Sequence, residues 1–114
     1  MVIEACEVEG ITVLRLDGDL DAPSSPVVRA TVNRLLGEAE RPLVLDLSGV
    51  GRVYTAGILA LADLQRTAAG QGREMVFCGA RPFVRELLRI TNTDRLLNLC
   101  FDLESALSVA RRVV

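Results

Sequence analysis

Alternation between apolar and polar residues predicts a mixed β-sheet in this chain. The run from Leu43 to Leu47 is apolar except at Asp46, which is typical of a strand buried on both faces and therefore of a parallel sheet. Two earlier segments, Val2 to Val8 and Ile11 to Asp17, predict strands joined at Glu9-Gly10. We therefore expect an antiparallel hairpin at one edge of an otherwise parallel sheet.

Apolar residues at helical spacing predict about four helices. The first begins at Ser25-Pro26, where Pro fits the first helical position and Ser caps the free amides. The second covers approximately residues 56 to 69, the third begins at Pro82, and Asp102 caps the last. Apolar positions supporting the first and last helices are Val28, Val32, Leu35, Leu36, Ala39, Leu103, Ala106, Leu107 and Ala110.

The remaining segments complete an α/β sandwich. Short strands are predicted at 74 to 78 and 96 to 100, a polar turn at 18 to 21, and a glycine-containing loop between Leu47 and Thr55. The predicted order is β, β, α, β, α, β, α, β, α, with right-handed crossovers. Because 114 residues with half of them hydrophobic suffice for one core, residues 1–114 are predicted to form a single domain.

Missing residue types exclude several kinds of chemistry. The chain has no His, Lys or Trp, and all 13 cationic residues are Arg, so the usual general base and Schiff-base lysine are absent. Cys6, Cys78 and Cys100 are too far apart for a CxxC motif and have no His to complete a zinc site. We therefore predict a protein that is not an enzyme, without metal or cofactor, whose cysteines are reduced core thiols.

Charge and hydropathy restrict the partners. With a net charge of -2 and scattered Arg residues, the chain offers no basic field for nucleic acid, so no direct binding to nucleic acid is expected. Its apolar stretches end well before the ~18 residues that a membrane span needs, and its first residues show no signal-peptide pattern. These features predict a cytoplasmic protein that does not insert into membranes; they specify no oligomeric state.

The start of the second helix is the predicted functional site. Thr55 suits an N-cap that bonds a first-turn amide, but its hydroxyl would also be a phosphate acceptor, because a helix N-terminus tolerates an anion. Tyr54 fits either an amphipathic side chain over the sheet edge or a partner-facing anchor. Leu59, Asp63 and Arg66 share one helix face by their i, i+4, i+7 spacing, and with Tyr54 and Arg52 they predict a small docking patch.

Several of these segments resemble the STAS domain family. The resemblance covers nearly the whole chain and lies in the strand Leu-Val-Leu-Asp-Leu-Ser-Gly-Val, the strand-loop-helix junction that ends at Gly57, the helix that follows, and Arg95-Leu96-Leu97 before a Glu-Ser-Ala-Leu helix. The segment from Asp17 to Asp21 also resembles the family's Gly-x-Leu-Asp turn. The family comprises bacterial anti-sigma factor antagonists and cytoplasmic domains of sulfate transporters.

The resemblance implies a switch from which this chain departs. In antagonists of this family the junction reads Asp-Ser-Ser-Gly, and the second Ser is phosphorylated by the anti-sigma factor acting as a kinase. Here the junction reads Tyr54, Thr55, Ala56 and Gly57, so position 56 has no hydroxyl and Tyr replaces the acidic residue. Thr55 is the candidate phosphorylation site. The docking patch and the resemblance together predict these partner-binding residues: Asp19, Asp21, Arg52, Tyr54, Thr55, Ala56, Gly57, Leu59, Asp63 and Arg66.

Three functions follow as hypotheses. The preferred one is a regulator, similar to anti-sigma factor antagonists, that binds a kinase-like anti-sigma factor and releases a sigma factor. The second is a subunit that docks on a phospholipid-transport ABC ATPase, because Thr-x-Gly at the junction resembles the STAS subunit of those transporters. The third is a nucleotide-binding module at Ser48 to Gly51, which lacks the Gly-Lys-Ser/Thr of a P-loop.

Overall fold

The computed structural model describes residues 1–38 and 40–112. These residues contain a five-stranded sheet whose strands lie side by side in chain order. The first two strands pair antiparallel, and every later neighbour pairs parallel. This confirms the predicted mixed sheet with its N-terminal hairpin. The strands are β1 (Val2–Val8), β2 (Ile11–Leu20), β3 (Leu43–Val53), β4 (Met75–Cys78) and β5 (Leu99–Cys100).

Within the described residues, four α-helices cover the two faces of this sheet, as predicted. They are α1 (Ser25–Glu38), α2 (Thr55–Gly70), α3 (Pro82–Ile90) and α4 (Leu103–Arg111), with a 3-10 turn at Thr93–Arg95. The larger core contains side chains of α1, α2 and α3, and the smaller one contains those of α4. Ala39, which was assigned to the first helix, lies outside the described residues.

The first half of β3 is the strand buried on both faces that its apolar run predicts. Leu43, Leu45 and Leu47 point into the larger core, and Val44 points into the smaller one. All four are at most 2% exposed. Because successive strand residues face opposite sides of a sheet, one short apolar run supports both layers of helices.

The polar turn at 18 to 21 and the loop after Leu47 are wrong predictions, because both β2 and β3 continue through those segments. Asp17 pairs with Gly49, Gly18 with Val50, and Leu20 with Val53. Glycine has a low strand propensity, but at Gly49 it lets the backbones of β2 and β3 approach closely. A Cβ at this position would lie 2.7 Å from the carbonyl oxygen of Leu16. The extended pair carries both strands to the start of α2.

One predicted helix cap is wrong and another is confirmed. Asp21, not Ser25, caps the turn that leads into α1: its carboxylate accepts a hydrogen bond from the Ser24 amide at 2.9 Å, while the Ser25 hydroxyl donates to the Asp21 carbonyl at 2.6 Å. That amide lowers the pKa of Asp21. Asp102 does cap α4, since its carboxylate accepts from the amide of Ser105 at 2.8 Å.

The last predicted strand is longer than the structure allows. Of residues 96 to 100, only Leu99 and Cys100 pair with β4, because residues 96 to 98 form a turn and irregular structure after the 3-10 turn. The cysteine prediction is correct for Cys78, which is buried and whose pKa is raised to about 12, chiefly by that burial. It is wrong for Cys6, which is exposed on the edge strand β1.

Candidate functional site

The junction, defined as Tyr54 to Gly57, connects the end of β3 to the first turn of α2. Tyr54 is extended, with φ -98° and ψ 174°, and its amide donates to the carbonyl oxygen of Leu20 at 2.9 Å. This bond continues the pairing of β2 with β3 by one residue. The position of the junction is therefore set by the sheet beneath it.

Gly57 fixes the depth at which α2 begins. A Cβ at this position would lie 2.5 Å from the Leu20 carbonyl oxygen and 2.8 Å from Leu20 Cγ, well inside van der Waals contact. Only glycine lets the first turn of α2 rest this closely on β2. Gly57 thus supports the junction from inside and is itself buried.

The N-terminus of α2 has no side-chain cap. The N-cap position belongs to Tyr54, whose side chain makes no capping bond, and Thr55 is already the first helical residue. The prediction that Thr55 caps the helix is therefore wrong by one position. Thr55 is exposed, and its hydroxyl makes no hydrogen bond to another described residue. First-turn amides without intrahelical partners remain available here.

A shallow pocket, here called the junction pocket, opens beside this turn. It has a volume of about 440 Å³. The half-buried methyl group of Ala56 contributes to the wall of this pocket, and Asp21 is the acidic residue in its lining. The lining residues are Asp21, Ala22, Pro23, Tyr54, Thr55 and Ala56.

Tyr54 separates the junction pocket from a second concavity, here called the α3 groove. This groove has a volume of about 530 Å³. Its lining residues are Gly51, Arg52, Val53, Tyr54, Phe83 and Leu87. Phe83 was not among the predicted site residues, although its i, i+4, i+7 spacing with Leu87 and Ile90 is a signal that the sequence contains.

The structure divides the predicted docking patch into two parts. Asp63 accepts hydrogen bonds from Arg29 of α1, at 2.7 Å, and from Arg66, and these two guanidinium groups, Arg66 foremost, lower its pKa. Arg52 instead lines the α3 groove. The Leu59, Asp63 and Arg66 face therefore lies toward α1. Arg29 was not predicted, because no local spacing relates it to α2.

Two residues in the predicted patch are apolar and exposed. Tyr54 is 47% exposed and Leu59 is 55% exposed. Their exposure is compatible with a role as anchors for a partner. Asp19 is also exposed, and its carboxylate oxygen would lie 3.3 Å from a Cβ on Gly51, beside the α3 groove.

Other kinds of site find little support in the described residues. No group of three His, Cys, Asp or Glu side chains within residues 1–38 and 40–112 is arranged to hold a metal ion. No helix in that part of the chain is both long and apolar enough to cross a bilayer. Ser48 to Gly51 form part of β3 rather than a phosphate-cradling loop, which disfavours the nucleotide-binding hypothesis.

Comparison with protein families identifies the class of this protein. The family model of the STAS domain matches residues 2–106. The chain therefore belongs to the STAS domain family, as its sequence resemblance implied.

Solved structures share this fold. An anti-sigma factor antagonist from Mycobacterium paratuberculosis matches with a TM-score of 0.85 and 22% identity, covering 96% of this chain and 93% of that one. The antagonist SpoIIAA in its unphosphorylated form matches with a TM-score of 0.77 and 16% identity, covering 99% of each chain. A murine anion transporter of the Solute Carrier 26 family matches at 0.79 and 23% identity, but only 18% of that chain is covered. This chain thus shares its fold with nearly the whole of the two antagonists and with a small part of the transporter.

Proposed function

We propose that this protein is a regulator, similar to anti-sigma factor antagonists, that binds a kinase-like anti-sigma factor in the cytoplasm and releases a sigma factor. The observation that carries this proposal is the junction itself. There, an exposed Tyr54 and an exposed Leu59 flank a helix N-terminus without a side-chain cap. The fold shared with two antagonists over 93% and 99% of their chains supports the same role. The proposed activity is binding, not catalysis.

The partner-binding surface extends from the junction in both directions. Tyr54 and Leu59 supply the apolar contacts, and the small side chain of Ala56 lets a partner approach the first turn of α2. Gly57 sets the depth of that turn from the inner side. Charged side chains form the rim, where they favour specificity over affinity. The proposed surface comprises Asp19, Asp21, Arg52, Tyr54, Thr55, Ala56, Leu59, Asp63 and Arg66, and the predicted residue Gly57 lies buried beneath it.

Regulation differs from that of an antagonist phosphorylated at the second Ser of its junction. Ala56 offers no oxygen to phosphorylate. Thr55 has an exposed hydroxyl one residue earlier, and a phosphate there would lie near free first-turn amides while presenting ~1.5 to 2 negative charges to a docked partner. We propose that the complex persists in the presence of ATP unless Thr55 is modified.

The direct test is titration calorimetry with a purified kinase-like anti-sigma factor from the same organism. The proposal predicts a complex that displaces the sigma factor, and it predicts that Leu59→Ala weakens this complex. Leu96→Ala is the matched control, because Leu96 is the same residue type and is 58% exposed against 55% for Leu59. Failure to bind, or equal weakening by both substitutions, would overturn the proposed surface.

A second candidate is a subunit that docks on a phospholipid-transport ABC ATPase. The observation that favours it is Thr55, whose hydroxyl occupies the first helical position and is not used as a cap. Affinity capture with the protein as bait separates the two candidates. Recovery of an ABC-type ATPase that binds in purified form would favour the second, and a kinase-like protein would favour the first.

A further inference from the structure

Helix α3 has two apolar faces, and the fold buries only one of them fully. Val84 and Leu88 are fully buried in the larger core and hold the helix on the sheet. On another face, Phe83 is 70% exposed and Ile90 is 63% exposed, with the half-buried Leu87 between them. A contiguous apolar stripe of this kind marks an interaction surface more often than an isolated exposed residue does.

The first half of this stripe forms one wall of the α3 groove. Phe83 and Leu87 face the end of β3, where Arg52 and Tyr54 form the opposite wall. The resulting concavity of about 530 Å³ is large enough to accept apolar side chains that project from a partner helix. A flat lipid surface would not fill it.

The charge around the groove selects for an acidic partner. Arg52 and Arg81 are exposed, and neither forms a salt bridge within the described part of the chain. Arg81 donates through Nε to the carbonyl oxygen of Ser48 at 2.9 Å, which holds its guanidinium alongside β3. Asp19 is the acidic group at this end, and Glu86 on α3 is already paired with Arg89. The local charge is thus positive on a chain whose net charge is -2.

We infer that the α3 groove and the stripe beyond it bind an acidic amphipathic helix of another protein, on a surface that adjoins the proposed anti-sigma factor contact at Arg52 and Tyr54. Apolar residues of that helix would contact Phe83, Leu87 and Ile90, and its carboxylates would face Arg52 and Arg81. A second copy of this chain is a poorer occupant. In a two-fold dimer the same patch meets itself, which would bring the arginines of both copies together.

The test is selection of helical peptides from a random phage-displayed library on the immobilised wild-type protein. The inference predicts enriched peptides with net negative charge and apolar residues at i, i+3/i+4 and i+7. For a synthesised representative, Phe83→Ala and Ile90→Ala should each weaken binding by about tenfold or more. Leu59→Ala should leave it unchanged, because Leu59 lies on the α1 side of α2.

Four results would overturn the inference. They are peptides without an acidic bias, binding that survives Phe83→Ala, a dimer in sedimentation that Phe83→Ala dissociates, and tighter binding to anionic phosphatidylglycerol vesicles than to the selected peptide. Tyr54 and Arg52 border both surfaces, so the variants are placed at Phe83 and Ile90. The anti-sigma factor titration with those two variants then separates failure of this inference from failure of the proposed function.

Discussion

Two helix N-termini in this protein are held in opposite ways. Helix α4 has a cap of its own, because the carboxylate of Asp102 accepts the Ser105 amide. Helix α2 has none, since Tyr54 occupies the cap position without bonding the first turn. A capped terminus is satisfied by its own chain, whereas the first-turn amides of α2 remain available to a partner or an anion.

What replaces the cap of α2 is packing from below. The amide of Tyr54 bonds the Leu20 carbonyl, and Gly57 rests against the same residue. The stabilising contacts therefore lie on the inner side of the junction, and the outer side is left to exposed residues. Under the proposed function, α4 serves the fold and the outer turn of α2 serves binding.

The largest effect is expected at the inner side of the junction. Gly57→Ala places a methyl group against Leu20 and should destabilise the protein by about 3 kcal/mol, because the backbone carbonyl it meets cannot easily move. Urea unfolding followed by circular dichroism measures the loss. Gly70→Ala is the control in the same helix: its Cβ would meet nothing within 4 Å, and removing a helical glycine should be neutral or stabilising by about 0.5 kcal/mol. Equal effects would show that Leu20 does not support α2.

Substitutions on the outer side of the junction should weaken partner binding and leave the stability of the fold nearly unchanged. Tyr54→Ala is expected to weaken anti-sigma factor binding by about 1 to 3 kcal/mol, with little change in the urea midpoint, since its ring makes no capping bond. Asp63 is a poor choice for this test, because it holds Arg29 of α1 and Arg66. A large loss of stability in Tyr54→Ala, with unchanged affinity, would reverse the roles assigned to the two sides.

A smaller effect follows from supplying α2 with the missing cap. Tyr54→Asp should stabilise the fold by about 0.5 to 1 kcal/mol, because its carboxylate can accept a first-turn amide as Asp102 does in α4. The same change removes the aromatic anchor and should weaken partner binding. Unfolding and calorimetric measurements on the same variant test this trade-off. A variant that is more stable than the wild type and binds the partner equally tightly would contradict it.

The smallest effect concerns pH and helix α4. The Ser105 amide lowers the pKa of Asp102 in the folded protein. The contribution of the Asp102 carboxylate to the free energy of unfolding is therefore complete above the unfolded-state pKa. It is lost as the pH falls through the lower pKa of the folded state. Thermal melts between pH 7 and pH 3 should show a shallower loss for Asp102→Asn than for the wild type. Identical slopes would mean that Asp102 does not stabilise α4 through its charge.

The sequence predicted regular elements better than their ends. The apolar runs of β3 and the spacing within α2 were sufficient for the fold class, because burial imposes those periods. The extension of β2 and β3 was missed, because Ser48 and Gly49 are residue types typical of loops and only their pairing with β2 makes them part of a strand. The N-cap position of α2 was also missed, by one residue. Arg29 and Phe83 were missed because they reach the site only through tertiary packing.

The most direct test of the central claim is whether ATP dissociates the complex with the kinase-like anti-sigma factor. The wild-type protein should stay bound, and its intact mass should show no phosphate or a slow single addition at Thr55. The double variant Tyr54→Asp/Ala56→Ser is the positive control, which should gain phosphate and lose affinity through charge repulsion. Rapid stoichiometric phosphorylation of the wild type with loss of the complex would contradict the account. So would a double variant that binds its partner as tightly after phosphorylation as in its own unphosphorylated form.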